Sequence, residues 1–244
     1  MTHHQPTTGL VVFAVMLGTS LAARVLPQAT PTPQERVAAL KQSLVESQKA
    51  IRRYEWIETT VISLKGEEKA RTQKRVYYGA DGTLQKVPMG DAAPPAQAAP
   101  GGRRGGRLKE KIVENKKDDM KEYMERATAL IQKYVPPKPE DIQRASEGGK
   151  LTAGPAGPGP TRLAFTDFLL PGDRLALDVD AAANRLVGLT VESYLDQRDD
   201  AVTLGVQLGT LADGTSYTAQ TTLNAAAKHI QVVIRNAGHR PLSQ

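Results

Sequence analysis

The side chains best suited to chemistry are carboxylates, and they do not converge on one point. Asp196, Asp199 and Asp200 stand together in Asp-Gln-Arg-Asp-Asp, while Asp178 and Asp180 sit on the polar side of an earlier strand-like segment. An acid/base pair would need one carboxyl raised by burial, and a calcium loop would need six or more oxygens around a shaped turn. Neither pattern is present, so the cluster reads as a solvated turn. His229 and His239 are ten residues apart, without the converging partners that zinc or a general base demands. Ser193 lies on a strand with no histidine nearby, and G-x-S-x-G, G-x-x-x-x-G-K-S/T and G-x-G-x-x-G are all absent. These observations point to a non-enzymatic protein with no catalytic residue, metal site or cofactor. A hydrolase using the dispersed carboxylates Asp178 and Asp196 is the enzymatic alternative.

Apolar and basic side chains offer a different chemistry, that of binding. Trp56, Tyr77 and Tyr78, together with Leu40, Leu44 and Ile51, are candidates for lining an apolar groove. Arg71, Lys74 and Arg75 are candidates for its basic rim. Strand alternation places Arg71, Gln73, Arg75 and Tyr77 on one face and Thr72, Lys74, Val76 and Tyr78 on the other.

The elements that must hold these groups are legible from periodicity. Leu175, Leu177 and Val179 alternate with polar or small residues, as do Val187, Leu189 and Val191, then Val202, Leu204, Val206 and Leu208, then Ile230, Val232 and Ile234. A period of two builds an antiparallel sheet with one apolar and one wetted face. That apolar face needs a cover. Thr32-Pro33-Gln34-Glu35 is a capping box with proline at the first helical position, and Val37, Leu40, Leu44, Ile51 and Tyr54 then form one stripe. This first helix is the expected cover, running almost directly into a strand at Glu55 to Leu64.

Domain boundaries follow composition. Residues 1–23 form a secretory signal, with an apolar run from Leu10 and small residues near Ser20-Leu21-Ala22, although no Lys or Arg precedes it. Residues 24–32 are a tether, and 33–89 hold the helix and the first strands of the sheet domain. Residues 90–107 and 148–160 are Gly/Pro/Ala linkers bracketing a helical insertion at 108–147, whose stripe is Leu108, Ile112, Met120, Tyr123, Met124, Ala127, Ile131 and Tyr134. The remaining strands occupy 161–237, and 238–244 are a tail. The fold class is α+β: a curved antiparallel sheet, an open half-barrel, packed on an N-terminal helix with a helical insertion between flexible linkers. The expected address is extracytoplasmic, periplasmic or secreted, with an N-terminal membrane anchor as the alternative to a cleaved signal.

Charge narrows the partners. The net charge of +6 resides outside the main strands, since residues 150–244 carry 8 Lys/Arg against 9 Asp/Glu. The basic excess in the first strands and the insertion suits an anionic membrane surface or an acidic partner. Carboxylates dilute it and no stacking aromatics interleave with it, which argues against nucleic acid. Cysteine is absent, so no disulfide or thiolate chemistry is available.

A capped helix feeding straight into antiparallel strands, followed by a long one-sided meander over roughly residues 162–236, resembles the periplasmic lipoprotein-carrier family, the LolA-like proteins. The resemblance rests on element order and implies a curved sheet wrapped on a helix with an apolar cavity for acyl chains. The expected function is an exported protein holding a lipid or lipidated partner between sheet and helix. The alternative is a cell-envelope interaction or scaffold protein with a solid core. The oligomeric state is left open.

Overall fold

Ten strands form one antiparallel sheet whose two flanks come from opposite ends of the chain. The computed structural model describes residues 42–43, 45–90 and 106–242. The strands are β1 (Tyr54–Leu64), β2 (Glu67–Tyr78), β3 (Leu84–Pro88), β4 (Leu151–Pro155), β5 (Thr161–Thr166), β6 (Arg174–Asp180), β7 (Arg185–Tyr194), β8 (Ala201–Thr210), β9 (Ser216–Ala225) and β10 (Ile230–Pro241). Their spatial order is β3-β2-β1-β10-β9-β8-β7-β6-β5-β4. Every neighbour except the β1–β10 pair is sequential, and the sheet is not closed into a barrel. The architecture is α+β, with α1 (Gly106–Ile131) and α2 (Pro139–Glu147) connecting β3 to β4.

That order imposes a crossing. β3 and β4 are the two edges, so the connection between them must traverse the whole sheet. Nine strand spacings of about 4.8 Å amount to about 43 Å. Helix α1 has 26 residues, and a helix of that length spans about 39 Å at 1.5 Å per residue. The insertion carries the chain between the two edges, and its described side chains pack on the apolar face from Met120 onward. Tyr123, Ala127, Leu130, Ile131 and Tyr134 join one core with Phe165, Leu175, Leu177, Leu189, Val191, Val202, Leu204, Ala225 and Ile230. Ala127, fully buried, lets the helix axis approach the strands closely.

Two sequence expectations change here. Among the described residues α1 and α2 pack on the apolar face, while Val37, Leu40 and Leu44 of the first helix, the expected cover, lie outside the described residues. Residues 42–43 and 45–50 are helical, but none of them is buried and Val45 is 43% exposed. The capping box at Thr32 to Glu35, and the signal segment, lie outside the described residues. Within the linker 148–160, β4 pairs with β5 from Leu151↔Phe165 to Pro155↔Thr161, because an edge strand needs partners on one side only and so tolerates Gly154 and Pro155. The tail likewise belongs to the sheet: β10 runs to Pro241, which lies opposite Tyr54.

Turn chemistry explains the hairpins. Lys65 and Gly66 both have positive φ (54° and 83°), as a two-residue turn matched to strand twist requires. Ala80-Asp81-Gly82-Thr83 and Ala212-Asp213-Gly214-Thr215 share another solution, with the glycine alone at positive φ (75° and 86°). In each, the threonine amide donates to the aspartate Oδ1 two residues before it, at 3.0 Å. One glycine in the left-handed region after a tight turn gives the three-residue hairpin with a bulge, not the two-residue form that Asp-Gly suggests.

The segment following helix α1 is pinned to the sheet by a buried carboxylate. Asp173 is 2% exposed. It accepts hydrogen bonds from the backbone amides of Phe168 (2.5 Å), Leu169 (3.0 Å) and Leu170 (2.7 Å), and from the Tyr134 hydroxyl (2.5 Å). Because that hydroxyl spends its proton on Asp173, Ser193 donates to it at 2.9 Å. Burial, then the aspartate, push the Tyr134 phenol well above its ordinary range. Removing this hydroxyl in Tyr134→Phe is expected to cost about 1–3 kcal/mol of unfolding free energy, measured in urea. Asp173→Ala should cost more, since it strands three amides and a hydroxyl; equal losses would mean the carboxylate is not the hub.

Candidate functional site

Burial along single cross-strand rows shows how far the helices reach. Phe165, Leu175, Val191, Leu204, Leu223, Val232 and Ile62 are successive register partners across the apolar face. The row starts sealed, with Phe165 at 2% and Val191 at 0%, and ends open, with Ile62 at 40% exposure. The next row behaves likewise: Leu177 and Leu189 are buried, whereas Val206, Thr221, Ile234 and Thr60 are only half-buried. Along these two rows burial ends at β8 and a strip of side chains is partly open over β8, β9, β10 and β1, whereas in the row Val202, Ala225 and Ile230 the core shared with α1 reaches β10. A strand alternation whose apolar side is only partly covered among the described residues has the geometry of a binding surface.

An aromatic cluster closes one end of this strip. Trp56 stacks on His239 (ring centroids 5.6 Å, 20°), and His239 meets Tyr217 at 4.1 Å. Tyr78 approaches Trp56 at 6.3 Å. The indole N–H donates to Asn236 Oδ1 at 3.1 Å, and Asn236 Nδ2 donates to the Thr218 carbonyl at 2.9 Å. Gly209 makes room for this arrangement, because a Cβ there would stand 2.7 Å from Tyr217 Cζ. The first helix reaches the same end, where Ser47 Oγ accepts from the Ser216 amide at 3.2 Å.

The structure sorts the candidate residues by face. Trp56 and Tyr78 come together on the side of Val76, while Tyr77 lies on the other side under the Arg75 guanidinium, 5.0 Å from its ring centroid. Ile51 is half-buried in the turn Ile51–Arg53, and Leu40 and Leu44 lie outside the described residues. Arg71 and Arg75 face away from the strip, held by Glu68 (2.8 Å) and Glu55 (3.7 Å). Lys74 alone of the three faces it, directly opposite Glu58.

The aspartates do not assemble. Asp178 pairs with Arg162 at 2.7 Å, Asp180 with Arg185 at 3.5 Å, and Asp196 with Arg126 at 2.6 Å. Asp200 accepts from the Tyr123 hydroxyl at 2.5 Å. Each carboxylate is thus a structural tie, two of them holding α1 to the β7–β8 turn. His229 is exposed at a left-handed position (φ 53°) ending a short 3-10 turn. A cleft of about 270 Å³ beside Arg162, Asp178 and Gln207, and one of about 490 Å³ beside Lys65, Asn224 and His229, are open to solvent. Neither includes Trp56, Tyr78 or Ile234 in its lining.

Sequence reasoning weighed His239 only as a metal or catalytic group and missed its stacking with Trp56 and Tyr217, as well as Asn236 and the Lys86–Glu58 ion pair (2.6 Å). Positions 236 and 239 looked like the end of a strand and a tail. Gly209 was the available signal, since a glycine inside a strand often marks the close approach of an aromatic neighbour.

No family model matches the sequence, and no curated protein matches it. Among solved structures the chain is similar to a LolA superfamily protein from Nitrosomonas europaea, at 12% identity and TM-score 0.35, covering 83% of this chain and 94% of that one. It is also similar to a DUF1329 family protein from Desulfovibrio piger, at 10% identity and TM-score 0.30, covering 84% and 95%. The first bears the family name that element order suggested. At these scores the likeness is one of general layout, and the site is read from this chain's own geometry.

The aromatic cluster carries a pH signature. Burial pushes the His239 imidazole below its ordinary value of 6.5, because the cluster disfavours the imidazolium. The unfolded chain then takes up this proton more readily than the folded one, so the contribution is complete above that value and lost as pH falls through the lowered one. Between about pH 7 and about pH 5 the wild type is expected to lose more stability than His239→Phe, by urea denaturation at each pH. Parallel losses would show that His239 titrates as it does in the unfolded chain.

Proposed function

We propose that the protein is an exported, non-enzymatic binding protein that holds an apolar ligand, the acyl chain of a lipid or of a lipidated partner, against the open half of its sheet. The observation that carries this reading is the row from Leu189 to Thr60, buried under α1 at one end and half-exposed at Val206 and Ile234. An exposed apolar strip stays in water only at a cost of roughly 25 cal/mol per Å², so a protein that keeps one invites a ligand. Export is supported by the signal-like residues 1–23, and among the described residues no helix is long and apolar enough to cross a membrane.

The sealed core beneath α1 favours a second reading, an envelope interaction protein that presents the strip to another protein. Native mass spectrometry of purified residues 24–244 separates the two: a bound lipid supports the first, and a clean apo mass with no lipid uptake supports the second.

The strip also has a built-in reporter, because Trp56 is the only tryptophan. Adding a dodecyl-chain ligand is expected to shift its emission, and Ile234→Glu should weaken that binding about tenfold or more while leaving the fold intact by circular dichroism. Unchanged affinity would place the ligand elsewhere.

A further inference from the structure

We infer that Lys74 binds the head group of a single-chain acyl anion, a long-chain carboxylate whose tail lies along the open strip. The inference rests on the binding reading above and adds the chemical class of the ligand.

The cations of β2 divide by face and by partner. Lys69 pairs with Glu67 at 2.5 Å, Arg71 with Glu68 at 2.8 Å and Arg75 with Glu55 at 3.7 Å. Each of these charges is satisfied at the surface, away from the strip. Lys74 is half-buried on the apolar face and has no carboxylate within ion-pair distance among the described residues. Its register partner Glu58 would be the natural counter-ion, but Lys86 reaches across from β3 to occupy that carboxylate at 2.6 Å. Glu58 is nearly enclosed, its side chain 11% exposed, so the pair is held in place by its surroundings. Two ammonium groups and one carboxylate therefore border the strip beside fully buried Val76, one positive charge more than the described residues match.

An ammonium at the border of apolar surface with no carboxylate at ion-pair distance offers an incoming anion Coulomb attraction. The distances fit one extended chain. From Lys74 on β2 the strip crosses β1, β10 and β9 to Val206 on β8. Four spacings of about 4.8 Å give about 19 Å, the reach of a long acyl chain. Lys74's own row runs through Glu58 and Asn236, and Thr60, Ile234, Thr221 and Val206 form the adjacent same-face row, whose member on β2 is Thr72. The occupant that meets both the charge and the strip carries an anion at one end and hydrocarbon over the rest.

The test follows Trp56 emission in the full mature chain with three probes of one chain length: dodecanoate, dodecyltrimethylammonium and dodecyl maltoside. Wild type is expected to bind dodecanoate about tenfold more tightly than the cationic probe, with an advantage that shrinks as salt is raised. Lys74→Met should erase that preference while leaving dodecyl maltoside affinity unchanged, and Lys74→Glu should reverse it. If the anion has no advantage, or keeps it in both variants, the head-group assignment is overturned and the apolar strip stands. If none of the probes binds, the strip itself is not a ligand surface and both readings fall.

Discussion

The carboxylate of Asp173, sealed between the β5–β6 turn and helix α1, is the constraint on which the arrangement turns. Three consecutive amides, Phe168, Leu169 and Leu170, aim at one side chain, and Tyr134 brings the end of the insertion to the same point. An oxygen acceptor this deep is tolerated only because hydrogen bonds replace the water it lost. The network has a consequence beyond local order. It ties the chain just beyond the end of α1 to the β5–β6 turn. Tyr123 with Asp200, and Arg126 with Asp196, hold the same helix at the β7–β8 turn.

Sheet order makes that helix necessary. The first hairpin pairs with the last strand, so the chain must pass from one edge of the sheet to the other between β3 and β4. Such a crossing is stable only if it is apolar toward the strands, and the side chains around Ala127 supply this. Along the rows of Val191 and Leu189 burial ends at β8, and the face is partly open toward the first hairpin. Coverage and exposure along those rows are therefore the same fact seen from its two ends.

Electrostatics sharpens the open half. Most cations of the first hairpin are matched with glutamates on its far face or edge, where water screens them and their net worth is small. Among the described cations of β2, Lys74 is the one without a carboxylate at ion-pair distance, and it lies on the same face as Val76 and Trp56. The same face therefore brings hydrocarbon, aromatic rings and the Lys74 side chain together.

Much of this was local and therefore readable in the chain itself. Period-two alternation marked β6 to β8 and β10, the stripe from Met120 to Tyr134 marked the buried side of α1, and alternation around Arg71 to Tyr78 separated Lys74 from Arg71 and Arg75. These are properties of neighbouring residues, set by backbone geometry at short range. What the chain alone left undecided was that the insertion packs on the apolar face, that Leu151 to Pro155 is an edge strand, that Asp173 is a hub, and that His239 stacks on Trp56. Each depends on residues far apart in sequence meeting in space, as when Trp56 and Asn236 are brought together by the β1–β10 pairing. An apolar stripe states that it must be buried, but not against what; only the tertiary structure, by placing β3 and β4 on opposite edges, brought the insertion onto the apolar face.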